Sequence, residues 1–315
     1  MKFEKAVRRK AKLRLALSGP SGSGKTLSAL LLAQGIGGRI AVIDSERGSA
    51  SLYAGSVQVG GGRKVITPDF DTLNLQPPFS PENYVEAIKA AESAGYDTAI
   101  IDSITHEWSG SGGCMEIAES VAKARFGGNF WSAFSVVTPR HQAFIDAMLQ
   151  SNMHIIVTMR SKTETAQQEG KNGKKSVVKL GMKAEQRDGF EYEMTAVLDL
   201  SHEDHFATST KDRTGIFMGR DPVVITSETG KRLLAWLESG EDEPEPEKPV
   251  EMADEAVQAH IKAMTGAISV EALQAAWITA SEAATDAKDK GAYRRFVGCA
   301  NARKAALAGE EEKAA

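Results

Sequence analysis

Eight residues carry the clearest chemistry in this chain: Gly19, Pro20, Ser21, Gly22, Ser23, Gly24, Lys25 and Thr26. Their spacing is that of a phosphate-binding loop, G-x-x-x-x-G-K-[ST]. Glycines let successive backbone N–H groups curl around a phosphate, and a following helix aims the positive end of its dipole at the same point. Lys25 is then expected at the β- and γ-phosphates, with the Thr26 hydroxyl on Mg²⁺. The loop must sit between a strand and a helix. The apolar run Leu13-Arg14-Leu15-Ala16-Leu17 precedes it and Leu27-Ser28-Ala29-Leu30-Leu31-Leu32-Ala33 follows. ATP with Mg²⁺ is the expected cofactor.

Further chemistry stands at the ends of later apolar runs. Arg39-Ile40-Ala41-Val42-Ile43-Asp44 reads as a buried strand ending in Asp44-Ser45-Glu46, where ligands bind in open α/β sheets. Tyr96-Asp97-Thr98-Ala99-Ile100-Ile101-Asp102 reads as a Walker B strand, whose Asp102 belongs in the Mg²⁺ shell. Many ATPases place a glutamate directly after that aspartate, but here the next residue is Ser103. The carboxylate that orients the attacking water must come from elsewhere. Glu46 is the first candidate and Glu107 the second. Met153 to Arg160 forms a fourth strand, carrying Thr158.

Between these strands, Pro81 opens a helix with Ser80 as N-cap, and a second helix is expected from Thr138 to Ser151 with Pro139 near its start. Residues 55–80 are turn-rich and predict a small hairpin and a loop. Residues 161–187 are polar and basic: Lys162, Lys171, Lys174, Lys175, Lys179, Lys183 and Arg187 stand against Glu164, Glu169 and Glu185. Such a loop would neutralise several phosphates of a nucleic acid, or simply be solvated. Met194 to Leu200 and His205 to Thr210 predict a hairpin that ends in Lys211-Asp212-Arg213-Thr214-Gly215. His202 and His205 lie in its turn without a third metal ligand.

The net charge of −4 conceals an uneven distribution. Nine acids between Glu238 and Glu255 face one base, Lys248, which leaves +4 for the rest of the chain. The Pro/Glu run there predicts an extended linker. The expected organisation is an ATPase core over 1–237, a linker over 238–255, a helical module over 256–308 and a disordered tail over 309–315. In the module, Ser269 is the N-cap candidate of a central helix. Composition is that of a globular protein, 42 % hydrophobic and 25 % charged, with no membrane-length apolar run. Two distant cysteines, Cys114 and Cys299, suit a reducing cytoplasm.

The combination of Ile43-Asp44-Ser45-Glu46, Ile100-Ile101-Asp102-Ser103 and Thr158-Met159-Arg160 resembles the core of the RecA superfamily. Lys211-Asp212-Arg213-Thr214-Gly215 is similar to the K-x-R-x-G element of DnaB-type and RadA-type ring ATPases. More closely, Gly19 to Phe217 resembles phage-encoded RecA-like ATPases that include single-strand annealing recombinases. That likeness rests on His106-Glu107-Trp108 with Gly112-Gly113, Thr138-Pro139-Arg140-His141, His154, Arg160-Ser161-Lys162, the run from Gln186 to Glu193, and Lys211 to Gly215. It implies an α/β RecA-like P-loop core with a mainly parallel sheet, to which the helical module is appended. It also implies ATP hydrolysis with Glu46 as base and Thr158 beside the nucleotide, in a homo-oligomer whose Lys211 and Arg213 act on the neighbouring subunit's γ-phosphate. The partner implied is single-stranded DNA, held by Arg160, Lys162, Lys171, Lys174, Lys175 and Lys179, with a single-strand-binding protein on the module. A DnaB-type helicase or loader, a small-molecule kinase and a nucleotide-bound scaffold remain the alternatives.

Overall fold

A computed structural model of the chain describes residues 5–169, 175–241, 252–287 and 289–314, with side chains at all of these except 163–169, 175–181 and 310–314. It divides into two compact units, 1–242 and 243–315.

In the first unit, the order is β1 (Arg14–Gly19), α1 (Lys25–Ile36), β2 (Ile40–Asp44), β3 (Ser56–Val59), β4 (Arg63–Ile66), β5 (Asp71–Asn74), α2 (Pro81–Ser93) and β6 (Thr98–Asp102). There follow α3 (Thr105–Ser109), α4 (Cys114–Arg125), α5 (Phe130–Gln150), β7 (His154–Glu169), β8 (Lys175–Ala184), β9 (Ala196–Leu200), β10 (Phe206–Asp212), β11 (Val223–Val224) and α6 (Ser227–Glu238). The main sheet has the order β11-β10-β9-β1-β7-β6-β2-β5, and β8 extends it from β7. The pairs from β9 to β5 along that path are all parallel, whereas β10, β11 and β8 pair antiparallel. This is the expected α/β core with a mainly parallel sheet.

Strand alternation sorts the apolar residues into two cores. Leu15, Leu17, Val42, Ile100 and Ile156 join Leu30 and Leu32 of α1 and Leu233 of α6. Their neighbours Ala16, Ile43, Ile101, Ile155 and Val157 face the other way, against Tyr84 and Ile88 of α2 and Phe144 and Met148 of α5. A period of two places each successive side chain on the opposite face, so continuous apolar runs become strands covered on both sides. Gly35 lies in the last turn of α1, and it lets α6 come close. A Cβ there would fall 1.9 Å from the Ser227 carbonyl oxygen.

Four expectations change. The basic stretch read as a loop is a β-hairpin of β7 and β8, running in register from Ser161–Ala184 to Glu169–Lys175 with a shift at Glu164/Thr165. Its tip, including Lys171 and Lys174, lies outside the described residues. Within 55–80, β3 and β4 form the expected hairpin, but Asp71–Asn74 also pairs with β2 as the edge strand β5. All four β5 residues are exposed, so they carry no apolar pattern to read. α5 starts at Phe130 with Asn129 as its cap, accepting from Ser132 N, and Pro139 stands inside it rather than near its start. Last, Glu241 pairs back onto Arg8 and Lys10, so the first residues of the expected linker belong to the core unit. Residues 242–251 lie outside the described set.

The second unit consists of α7 (Asp254–Thr265), α8 (Val270–Asp286) and α9 (Lys290–Ala314). Its own core contains Val257, Met264, Leu273, Ala280, Phe296 and Leu307. Ser269 caps α8 as expected, accepting from Ala272 N at 3.2 Å. α9 continues to Ala314 where the sequence predicts a disordered tail from 309. That stretch is made mostly of Ala, Glu and Lys, which are strong helix formers.

Candidate nucleotide site

β1 delivers the chain to Gly19 at the carboxyl end of the parallel sheet, and α1 starts six residues later. Gly22 (φ 78°) and Gly24 (φ 87°) adopt the left-handed conformation that bends the loop between them. Gly24 occupies the N-cap of α1 and offers no side-chain acceptor, so the first amides of the helix are uncapped. The Ser23 hydroxyl is buried with no partner among the described residues. Uncapped amides and an orphaned hydroxyl around a glycine bend fit a triphosphate. Lys25 Nζ donates to the Gly19 and Pro20 carbonyls at 2.9 and 2.8 Å. Burial lowers its pKa, and the nearby carboxylates of Asp102 and Glu46 oppose that shift.

Asp102 ends β6 and is 2 % exposed. Thr26 Oγ1 donates to its Oδ2 at 2.6 Å, and Thr158 Oγ1 of β7 donates to its Oδ1 at 2.5 Å. Burial raises the Asp102 pKa even against these two donors. A buried carboxylate beside a threonine hydroxyl is an all-oxygen donor set, which suits Mg²⁺. The group that fits there is a hard divalent cation bound by Thr26 and Asp102.

Glu46 emerges from β2 because Asp44 shapes the turn. The fully buried Asp44 accepts from Glu46 N (2.6 Å) and Ala50 N (2.9 Å). The Glu46 carboxylate then takes a two-pronged ion pair from Arg160, with Nε at 2.9 Å and NH2 at 2.6 Å, and Ser103 Oγ donates to it at 3.2 Å. Burial alone would raise its pKa, but the Arg160 hydrogen bond and charge outweigh this and hold it below the usual carboxylate range. Ser21, Gly22, Lys25, Thr26, Glu46, Asp102 and Arg160 line one cavity of about 580 Å³.

The structure thus brings together the loop, Asp102, Thr158 and Glu46. It also adds Arg160, which the sequence grouped with the DNA-binding lysines. Thr158 and Arg160 are two apart on one strand, which directs both toward the same side; that spacing is the signal that could have found it. Lys162 is an exposed residue of the hairpin, 3.5 Å from Glu185. Lys175 and Lys179 lie on β8, with their side chains outside the described set. Lys211 and Arg213 are not part of the cavity. Lys211 Nζ donates to the Glu191 and Tyr192 carbonyls (2.6 and 2.5 Å), and Arg213 donates to that of Tyr192 (2.8 Å). Glu107, the second candidate base, is buried elsewhere against His141 and Cys114, which removes it from the nucleotide. His205, unremarkable in the sequence, lies with Nδ1 3.2 Å from the Ser23 carbonyl of the loop.

A phosphate-binding loop, a buried Walker B aspartate with a threonine hydroxyl on it and a carboxylate on the adjacent strand define a P-loop nucleoside triphosphatase of the ATPase class. A protein-family profile described as an AAA domain, AAA_24, matches residues 11–234, more than half of the chain, and the protein belongs to that family. Among solved structures, the chain is similar to one described as the crystal structure of the RadB recombinase. The two are 17 % identical with a TM-score of 0.35, over 75 % of this chain and 93 % of that one. So distant a likeness carries no functional weight. Among curated proteins, none matches the chain significantly.

Proposed function

We propose that this protein hydrolyses ATP as a homo-oligomer on single-stranded DNA, in recombination, annealing or repair. The observation that carries this reading is the Arg160–Glu46 ion pair. Arg160 stands on the strand that continues into the basic hairpin, so the candidate base is tied to the element richest in lysine. Lys25 neutralises the β- and γ-phosphates, Thr26 and Asp102 hold Mg²⁺, and Thr158 fixes the Asp102 carboxylate. Bound by Thr26 and Asp102, Mg²⁺ would supply positive charge against the phosphate oxygens. Glu46 orients the water. Lys211 and Arg213, which donate to the Glu191 and Tyr192 carbonyls in their own subunit, serve a neighbour's γ-phosphate. Lys162, Lys171, Lys174, Lys175 and Lys179 contact the strand's phosphates, with Arg160 at the foot of the hairpin. The helical unit 252–314 receives a single-strand-binding protein. By the resemblance of its motifs, the chain is phage-encoded and works in a bacterial cytoplasm.

The test is ATP turnover with and without single-stranded DNA, run beside annealing of complementary strands. Stimulated turnover with annealing supports the reading, and Lys25→Ala abolishes the turnover. Unwinding of a forked duplex would make the protein a helicase instead. Phosphate transfer to a small acceptor without any DNA effect would make it a kinase.

A further inference from the structure

Away from the nucleotide cavity, Glu107 of α3, Cys114 at the start of α4 and His141 of α5 meet in the interior. They are 0, 0 and 4 % exposed. Cys114 Sγ lies 3.1 Å from Glu107 Oε1, and His141 Nδ1 lies 3.0 and 3.2 Å from the two Glu107 oxygens. One donor atom from each residue falls within 4.8 Å of the other two.

The chain is folded tightly to bring them there. α3 has only five residues, and the turn after it returns Cys114 onto Glu107. A Cβ on Gly113 would lie 2.6 Å from the His106 carbonyl oxygen and 2.7 Å from that of Glu107, so only glycine allows this return. Gly110 faces the same limit, 2.6 Å from the His106 carbonyl oxygen.

A carboxylate taken wholly out of water needs compensating positive charge. Among the described residues no Lys or Arg reaches Glu107, and its other close donor is the neutral amide of Gln186 at 3.5 Å. The donor set of carboxylate oxygen, imidazole nitrogen and thiol sulfur is not one for Mg²⁺ or Ca²⁺, which take oxygen. It is one that zinc accepts. A divalent ion with one thiolate, one carboxylate and one neutral imidazole leaves no net charge in the interior. In a tetrahedral zinc site with bonds of about 2.0–2.3 Å, donor atoms stand about 3.3–3.6 Å apart. The two separations to Glu107, 3.0–3.2 Å, need to open by a few tenths of an ångström to admit the ion, and the Cys114 and His141 donors lie within 4.8 Å of each other.

We propose that Glu107, Cys114 and His141 bind one zinc ion, one donor atom from each, with a water in the fourth position of the tetrahedron. The ion pins α3, α4 and α5 together and takes no part in nucleotide chemistry. It is independent of the function proposed above.

The test uses the full-length protein, purified without chelators or a metal-affinity tag from zinc-supplemented medium. Elemental analysis is expected to find about one zinc per chain, and Co²⁺ substitution to give the visible absorption of a tetrahedral thiolate site. Cys114→Ser keeps a hydroxyl to donate to Glu107 and so retains the fold by circular dichroism, while its zinc affinity falls at least about tenfold. A folded wild-type protein that carries no zinc and shows no Co²⁺ spectrum overturns the site; the cluster is then a His141–Glu107 ion pair with a bonded thiol. Unchanged zinc affinity in Cys114→Ser overturns it equally.

Discussion

Glu46 is held on one side by a guanidinium and on the other by the Ser103 hydroxyl, at the edge of a cavity whose floor is the phosphate loop. If it orients the attacking water, Glu46→Gln retains nucleotide binding and lowers turnover by about 10²–10⁴-fold. Phosphate release under saturating ATP reads this, and a rate near that of the wild type would move the base elsewhere. The ion pair also sets where turnover fails in acid. With Arg160 present, Glu46 stays ionised to below the usual carboxylate range, so activity is lost only as pH falls through that lowered value. In Arg160→Gln, burial is opposed only by the weaker effects of His106 and the Ser103 hydroxyl, and the carboxyl takes up its proton sooner. The acid limb of the pH–rate profile therefore moves to higher pH. A limb that stays in place would show that another group sets it.

The elements put these residues in reach, and two of them rest on sites that chemistry motifs do not mark. α1 and α6 cross at Gly35, so Gly35→Ala forces the helices apart. The cost is of order 1–3 kcal/mol or more, read as a lower unfolding midpoint in urea. At the start of β7, His154 Nδ1 accepts from Leu13 N, and burial, with Lys12 and Arg14 nearby, pushes the His154 pKa down to about 4. The native state thus prefers the neutral ring. The stability it contributes is complete above the unfolded value of about 6.5 and is lost as pH falls through 4. His154→Asn keeps an acceptor without the titration, and at pH 5 it should recover about 2 kcal/mol of the stability the wild type has lost relative to pH 7.5. Equal acid sensitivity in both proteins would rule His154 out. Much of this scaffold was legible in advance. β1, β2 and β6 are largely apolar runs, and the loop, Glu46 and Asp102 follow from what triphosphate chemistry requires at strand ends, while Thr158 followed from the motif resemblance. β5 was not legible, because an exposed edge strand carries no pattern. The β7–β8 hairpin looked like a loop because the outer part of β7 is built from Lys, Thr, Glu and Gln, and lysines interrupt the short apolar stretches of β8. The Arg160–Glu46 pair spans 114 positions, and no local signal records such a distance.

At the scale of the whole molecule, the proposed function asks for a neighbouring subunit. Lys211 and Arg213 spend their charge on the Glu191 and Tyr192 carbonyls, away from their own nucleotide cavity. If they act on a neighbour, Arg213→Ala binds ATP without turning it over. Mixing it with Lys25→Ala then restores part of the activity, because some interfaces pair an intact loop with an intact arginine. No recovery in a mixture whose assembly is verified by light scattering would rule out the trans role. β7, meanwhile, is one continuous strand from the centre of the sheet to the far part of the hairpin. Thr158 and Arg160 stand near its root. From Thr158 to Glu169 it is an arm of roughly 36 Å at about 3.3 Å per residue. A lever of that length multiplies small angles: a tilt of about 5° at the root carries the far end by about 3 Å. A shift at Arg160 too slight to reshape the cavity is enough to displace the other end of the same strand, at Glu169, by about 3 Å.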